Sequence, residues 1–152
     1  MNEGMLSTAR RLAVASRSKP RQSDLRRAVS SAYYALFHAN AKDVADVLVG
    51  VGHDRPDNAW RQAYRALDHG PAKTACEQLR SLNFPPRLQD CGDAFVEFQL
   101  ARHRADYDPA HRLQRAEALA AVARAEEAIG HLKSCRRKDR KAFAVLLLLK
   151  RR

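Results

Sequence analysis

The sequence predicts an all-α protein, an antiparallel bundle of four long helices and two short ones. Ala, Leu and Arg dominate the 152-residue chain, aromatic residues make up 7%, and runs of alternating β-branched residues are nearly absent. Apolar residues recur at helical spacing, and Pro and Gly separate the periodic segments. The length suits one domain with a core of its own.

The first two helices follow from this periodicity. A helix over residues 5–17 is expected to end before Pro20, because proline cannot continue a helix. A longer helix over residues 24–48 is expected to start after Ser23, a residue type that caps helix N-termini well. Its predicted core positions are Leu25, Ala28, Val29, Ala32, Leu36, Phe37, Asn40, Val44 and Val47.

The remaining helices are separated by Gly and Pro. "PDNAWRQAYRALDHG" predicts a short helix with a glycine stop, and "PAKTACEQLRSLNFPP" predicts another that ends at paired prolines. A long helix is expected from Arg87 towards Tyr107. Asp108 and Pro109 then resemble an N-cap and the first residue of a last, Ala-rich helix that reaches Ser134.

The positive charge is concentrated at the two ends of the chain. Of the formal net charge of +11, residues 133–152 carry +8 and residues 1–27 carry +5, which leaves −2 on residues 28–132. The core is therefore close to neutral. A basic end is typical of a solvated segment with non-specific attraction to polyanions.

We therefore predict a helical bundle over residues 1–134 and a basic C-terminal tail over residues 135–152. In the tail, Arg136, Arg137 and Lys138 are expected to add salt-dependent affinity for RNA. The tail also holds "AFAVLLLL", eight residues against the roughly 18 of a membrane span, and we expect it to pack on the bundle or on a partner.

The cysteines and the N-terminus indicate a cytoplasmic protein without a metal or a cofactor. Cys76, Cys91 and Cys135 lie far apart, and no Cys/His cluster has zinc spacing. No apolar signal-peptide core opens the chain. The sequence also has no Gly-rich phosphate loop, no nucleophile elbow and no HExxH motif.

Two segments together resemble the HEPN family. "RRAVSSAYYALFHAN", residues 26–40, is similar to the double-tyrosine, Phe-His helix of HEPN domains. "LARHRADYDP", residues 100–109, resembles the Arg-x-x-Ala-Asp-Tyr element near the end of a later helix in the same proteins. The order of the two motifs and the Ala-rich helix that follows also fit, so the resemblance covers residues 6–134.

The resemblance implies a homodimer that is often encoded beside a small nucleotidyltransferase, and often a metal-independent ribonuclease of a toxin-antitoxin or defence system. The catalytic pattern of such proteins is an Arg, four to six residues, and then a His. Imidazole can move the proton of the RNA 2′-hydroxyl, while a guanidinium stabilises charge on the phosphorane.

This chain departs from that pattern. A gap of four residues follows Arg102, and Tyr107 then stands in place of the expected His; a tyrosine hydroxyl is a poor general base at neutral pH. A gap of six residues separates Arg104 from His111, which satisfies the spacing and is the nearby base candidate. We expect Arg102 and Arg104 to hold phosphate, and Asp106 and Tyr107 to order the motif.

The same residues also have purely structural interpretations. Arg102 and Asp106 are four residues apart and form a helical ion pair in that case. Tyr107 would then be a core residue, and His111 a surface residue. His38 would be buried or would lie at an interface.

Three functional hypotheses follow. The first is an RNA-directed HEPN protein, either a ribonuclease or a member with degenerate catalysis. The second is a non-enzymatic interaction module that binds a nucleotidyltransferase-like or other protein partner through the same groove. The third is a generic basic helical protein that binds RNA only through residues 133–152.

Overall fold

The part of the chain that the structure describes folds into seven α-helices. The computed structural model describes residues 2–149, and this part of the chain contains no strand, which confirms the all-α prediction. The helices are α1 (Asn2–Ala13), α2 (Gln22–Val49), α3 (Asp57–Ala66), α4 (His69–Glu77), α5 (Pro86–Tyr107), α6 (Arg115–Ser134) and α7 (Arg137–Leu148). No helix in the described range is long and apolar enough to cross a membrane.

α2 forms the centre of the fold. It packs against α1, α3, α5, α6 and α7, so residues on most of its faces are buried. Many of them are alanines, among them Ala28, Ala32 and Ala35, each with no exposed surface. Small side chains let neighbouring helices approach closely. A helix covered on several sides needs only a weak amphipathic pattern, which α2 has.

The ends of the first two helices differ from the predicted ones. α1 ends at Ala13 instead of residue 17. α2 begins before Ser23, its N-cap is Arg21, and no side chain caps this end. The predicted Ser23 cap is therefore wrong. At the other end, Gly50 adopts a φ of 114°, which favours glycine, and its N–H donates to the carbonyl of Asp46 at 3.0 Å.

The predicted start of the last long helix is also wrong. Asp108 is the C-cap of α5, and its carboxylate accepts the N–H of Ala110 at 2.9 Å, so the side chain serves a local turn. α6 starts seven positions later at a capping box, in which Glu117 accepts the N–H of Gln114 at 2.6 Å. The predicted cap was misplaced because Asp-Pro suits turns as well as helix starts.

The connection between α5 and α6 is held by α2. The Gln22 side chain donates to the carbonyl of Leu113 and accepts its N–H, both at 2.9 Å. Leu113 is itself buried. The position of this loop is therefore set by side chains from the first turns of α2.

Most of the predicted basic tail forms α7. Phe143 and Leu147 are buried, and α7 packs on α2 and α4. Arg140 pairs with Asp43 of α2 at 2.6 Å. The "AFAVLLLL" segment thus packs on the bundle, the first of its two predicted partners. The last three residues of the predicted tail lie outside the described residues.

The docking of α7 predicts different effects for two leucines near its end. Leu147 is 5% exposed and Leu149 is 62% exposed. Replacing a buried leucine by alanine leaves a cavity, so we expect Leu147→Ala to lower the free energy of unfolding by about 2 to 3 kcal/mol. Leu149→Ala, the same chemical change at an exposed position, should alter it by less than about 0.5 kcal/mol. Urea denaturation would measure both, and equal effects would mean that α7 does not dock.

Candidate functional site

The two segments that carry the family resemblance pack against each other around Arg102. The guanidinium carbon of Arg102 on α5 lies 5.6 Å from the ring centroid of Tyr33 and 5.5 Å from that of Tyr34, both on α2. Its Nε donates to Asp106 at 3.2 Å, and an Nη donates to the hydroxyl of Tyr107 at 3.5 Å. We call these five residues the Arg102 cluster.

Helical geometry explains the arrangement. Arg102 and Asp106 are one turn apart on α5, so the predicted ion pair between them forms. The hydroxyl of Ser30 on α2 donates to the other carboxylate oxygen of Asp106. Asp106 therefore links the two helices and holds the guanidinium over α2.

The two tyrosines have different environments. Tyr33 is fully buried, whereas Tyr34 is half-buried and keeps part of its ring at the surface. Tyr107 is 63% exposed, so its interpretation as a core residue is wrong. The Arg102 cluster is thus buried on the side of Tyr33 and accessible on the side of Tyr34 and Tyr107.

A cleft of about 460 Å³ opens beside the cluster, between the first half of α2 and the end of α5. Arg26 closes its floor by donating to the carbonyl of Ala105 at 2.8 Å and to the carbonyl of His111. Arg27 is exposed at the cleft. The lining residues are Ser23, Arg26, Arg27, Ser30, Ser31, Tyr34, Ala105 and Asp106.

His69, which the sequence analysis did not single out, lies under the cluster. It is the first residue of α4, its Nδ1 shares a hydrogen bond with the hydroxyl of Tyr33, and its ring stacks on Phe37 with centroids 4.2 Å apart. Gln99 of α5 donates to its backbone carbonyl. Only tertiary packing brings α4 to this place, so no local pattern around His69 could have shown it.

Titration in the cluster follows burial and charge. Burial, and then the positive charge of Arg102, lower the pKa of His69 below its usual 6.5, so its imidazole is neutral at pH 7. Burial raises the pKa of Tyr33 to about 12. The pair is therefore neutral, and the positive charge of the cluster resides on Arg102.

The predicted pair of Arg104 and His111 is not assembled. Arg104 is exposed on α5, and His111 lies in the loop after α5 has ended, held by its backbone. In the described part of the chain, neither side chain has a hydrogen bond or an ion pair. His111 is half-buried rather than fully exposed, whereas His103 is exposed with its ring 5.1 Å from that of Tyr107.

The basic residues predicted in the tail lie at the start of α7. Arg136 is its N-cap and pairs with Asp139 at 3.1 Å, and Arg137 and Lys138 are exposed. This end of the fold is remote from Arg102. Arg87 in the first turn of α5 contacts the end of α6, and Arg102 stands about 22 Å further along the α5 axis.

One group of metal-ligand residue types occurs in the described residues. Asp90, Glu127 and His131 bring their ligand atoms within 4.8 Å of one another. Arg124 donates to Asp90 at 2.8 Å and lowers the pKa of that carboxyl, while His131 lies 2.7 Å from the same oxygen. A guanidinium already compensates the negative charge here, so we assign this group a structural role.

The cysteines offer no reactive thiol at the site. Cys76 and Cys91 are buried and unpaired with each other, and burial raises the pKa of Cys76 to about 12. Burial also raises the pKa of Cys91. Such thiols stay protonated and inert at neutral pH.

Comparisons of the chain with protein-family models, with curated proteins and with solved structures found no match.

The contact between Arg102 and His69 can be tested by titration. Arg102→Gln removes a positive charge, so we expect the pKa of His69 to rise towards 6.5 while staying below it, because burial remains the larger cause. Arg104→Gln removes the same charge two positions along α5 and should leave the pKa of His69 unchanged. NMR of the imidazole resonances against pH measures both. An identical shift in the two variants would contradict the geometry.

Proposed function

We propose that the protein is an RNA-directed, HEPN-like helical bundle that binds single-stranded RNA at the Arg102 cluster. The observation that carries this proposal is the guanidinium of Arg102, held against two tyrosine rings at the edge of a cleft that gathers arginine and serine side chains. Phosphates and bases are the two groups that such a surface suits.

Arg102 keeps hydrogen-bonding capacity for a phosphate. Among the described residues, its acceptors are Asp106 and Tyr107, which leaves three of the five N–H groups of the guanidinium. Arg27 and the hydroxyls of Ser23 and Ser31 border the same cleft. Arginine forms paired hydrogen bonds to phosphate oxygens, and hydroxyls contribute further contacts.

Tyr34 supplies an aromatic surface next to this phosphate site. Its ring is half-buried and borders both Arg102 and the cleft. Unpaired bases stack on aromatic side chains, whereas bases inside a duplex are not available for stacking. The proposed ligand is therefore a single strand or a loop.

The packing of the two motif segments supports the relation to HEPN domains. Residues 26–40 and 100–109 resemble that family as separate motifs, and they meet through Ser30, Asp106 and Arg102. From the resemblance to this family, we also propose that the protein forms a homodimer and that it binds a nucleotidyltransferase-type antitoxin.

Cleavage of the bound RNA would require a neutral imidazole near the 2′-hydroxyl. His69 is neutral, is oriented by Tyr33 and lies under Arg102, whereas His111 lies in a loop without a side-chain contact to the cluster. We therefore propose His69, ahead of His111 and Tyr107, as the base for any metal-independent ribonuclease activity.

A second candidate function rests on an exposed strip of α5. Leu100 is 55% exposed and Tyr107 is 63% exposed, and His103 lies between them on the same helical face. An apolar and aromatic strip of this kind fits a protein interface. It favours the non-enzymatic module that binds a second copy or a nucleotidyltransferase-like partner.

The RNA proposal predicts a specific loss in one variant. Arg102→Gln should weaken binding of a fluorescently labelled single-stranded RNA by about tenfold or more, because a charged hydrogen-bonding group contributes about 1.5 to 3 kcal/mol. The slope of log affinity against log salt should fall by about one. Fluorescence anisotropy at several salt concentrations, in EDTA, measures both quantities.

Arg80→Gln is the matched control. Arg80 precedes α5 and forms an exposed ion pair with Asp93 of α5, so the variant removes the same charge at another place on the surface. Equal affinity losses in the two variants, with unchanged melting temperatures, would mean that the RNA binds only by non-specific attraction to positive charge.

Gel electrophoresis of the RNA after incubation with His69→Gln or with His111→Gln tests the choice of base. Cleavage that His111→Gln abolishes and His69→Gln preserves would contradict our choice of base.

A further inference from the structure

A second pocket lies between α2 and α3. Its volume is about 420 Å³. Aromatic side chains form its wall and basic side chains its rim. The lining residues are Asn2, His38, Lys42, Trp60, Arg61, Tyr64 and Arg65.

The aromatic wall is arranged by contacts within the protein. The rings of Trp60 and Tyr64 lie 5.2 Å apart, and Tyr64 stacks on His38 at 5.9 Å with an angle of 22° between the planes. The Tyr64 hydroxyl lies 2.6 Å from Nδ1 of His38. The indole N–H of Trp60 donates to Asp46 at 2.9 Å. The guanidinium of Arg55 lies 4.3 Å from the centroid of the Trp60 ring, so one face of the indole is already covered and a flat ligand would take the other.

The rim carries two arginines that have no partner within residues 2–149. Arg61 and Arg65 are exposed, one turn apart on α3, and neither forms a hydrogen bond or an ion pair with a described residue. Both also border a second hollow of about 500 Å³ on the outer side of α3. Like charges one turn apart destabilise a helix, so an anion between them would remove an existing repulsion.

A series of ring contacts links the pocket to the Arg102 cluster. Arg102 lies 5.5 Å from the ring of Tyr34, and Tyr34 lies 6.3 Å from the ring of His38, one turn further along α2. His38 then stacks on Tyr64. Rings at contact distance therefore lead from the proposed phosphate site at Arg102 to Trp60.

We propose that this pocket binds a nucleotide unit, with the base stacked against Trp60 or Tyr64 and the phosphate between Arg61 and Arg65. The inference rests on the proposed function, because it extends the path of the same single strand across α2 and α3. A second copy of the chain is a weaker candidate for this site, since its formal charge of +11 would be repelled by the same arginines.

Trp60 is the only tryptophan of the chain, so its fluorescence reports on this pocket alone. We would titrate the full-length protein with adenosine 5′-monophosphate and, separately, with a short single-stranded oligoadenylate. Saturable quenching by the oligonucleotide at much lower concentration identifies a site for a strand. Equal response to both probes identifies a site for free nucleotides.

Arg61→Gln/Arg65→Gln should weaken the quenching by about tenfold or more, because both phosphate ligands are lost. Arg80→Gln/Arg87→Gln, which removes the same charge from residues outside the pocket lining, should change it by less than about threefold. Circular dichroism of each variant checks that α3 remains folded.

Failure of this inference is distinguishable from failure of the proposed function. Absence of quenching by either probe, while RNA binding still depends on Arg102, would overturn the pocket and leave the proposed function intact. If the quenching is observed but Arg102→Gln leaves the RNA affinity unchanged, the pocket stands and the proposed function is overturned. Loss of dimers in Arg61→Gln/Arg65→Gln, without any effect of nucleotide, would make the pocket an interface between copies and overturn the inference.

Discussion

Close packing around α2 is the constraint on which the rest of the structure depends. The six other helices of residues 2–149 all contact this helix, and alanines such as Ala28 and Ala32 are fully buried on it. Because the neighbouring backbones are fixed at short distance, side chains of α2 reach directly into α5, the α5–α6 loop and α7. Gln22, Ser30 and Asp43 each make such a contact. A larger residue at Ala32 would separate α2 from its neighbours and displace these contacts together.

The candidate site arises where this packing reaches the surface. Tyr33 is inside the core and Tyr34 is partly outside it, so the guanidinium of Arg102 rests on one ring that is fixed and one that a ligand can reach. Asp106 pairs with Arg102 and yet leaves most of the guanidinium's N–H groups available. The result is a positive group that is positioned by the fold. By contrast, the charges at the start of α7 are exposed and have no comparable aromatic surroundings.

The sequence was sufficient for the helical class and for most core positions of α2, because helical periodicity and low aromatic content are local properties. Two positions differ, since Phe37 is only partly buried and the fully buried Tyr33 was not among the predicted core residues. The sequence was insufficient for the start of α6, since Asp108-Pro109 suits a turn as well as a cap. In the structure these residues form a turn, and the capping box at Gln114 starts the helix. The two motif segments led to Arg102 and Asp106 through their spacing along α5. His69 was missed because its place beside Tyr33 depends on how α4 packs.

Mapping the path of RNA on the protein tests the central claim most directly. A single-stranded oligonucleotide with photoreactive 4-thiouridine would be cross-linked to the full-length protein, and the modified peptides identified by mass spectrometry. Our account predicts cross-links at Tyr34 on α2 and in the last turns of α5. Cross-links confined to α7 and its basic start around Arg137, with none on α2 or α5, would contradict it and would leave only non-specific attraction by charge.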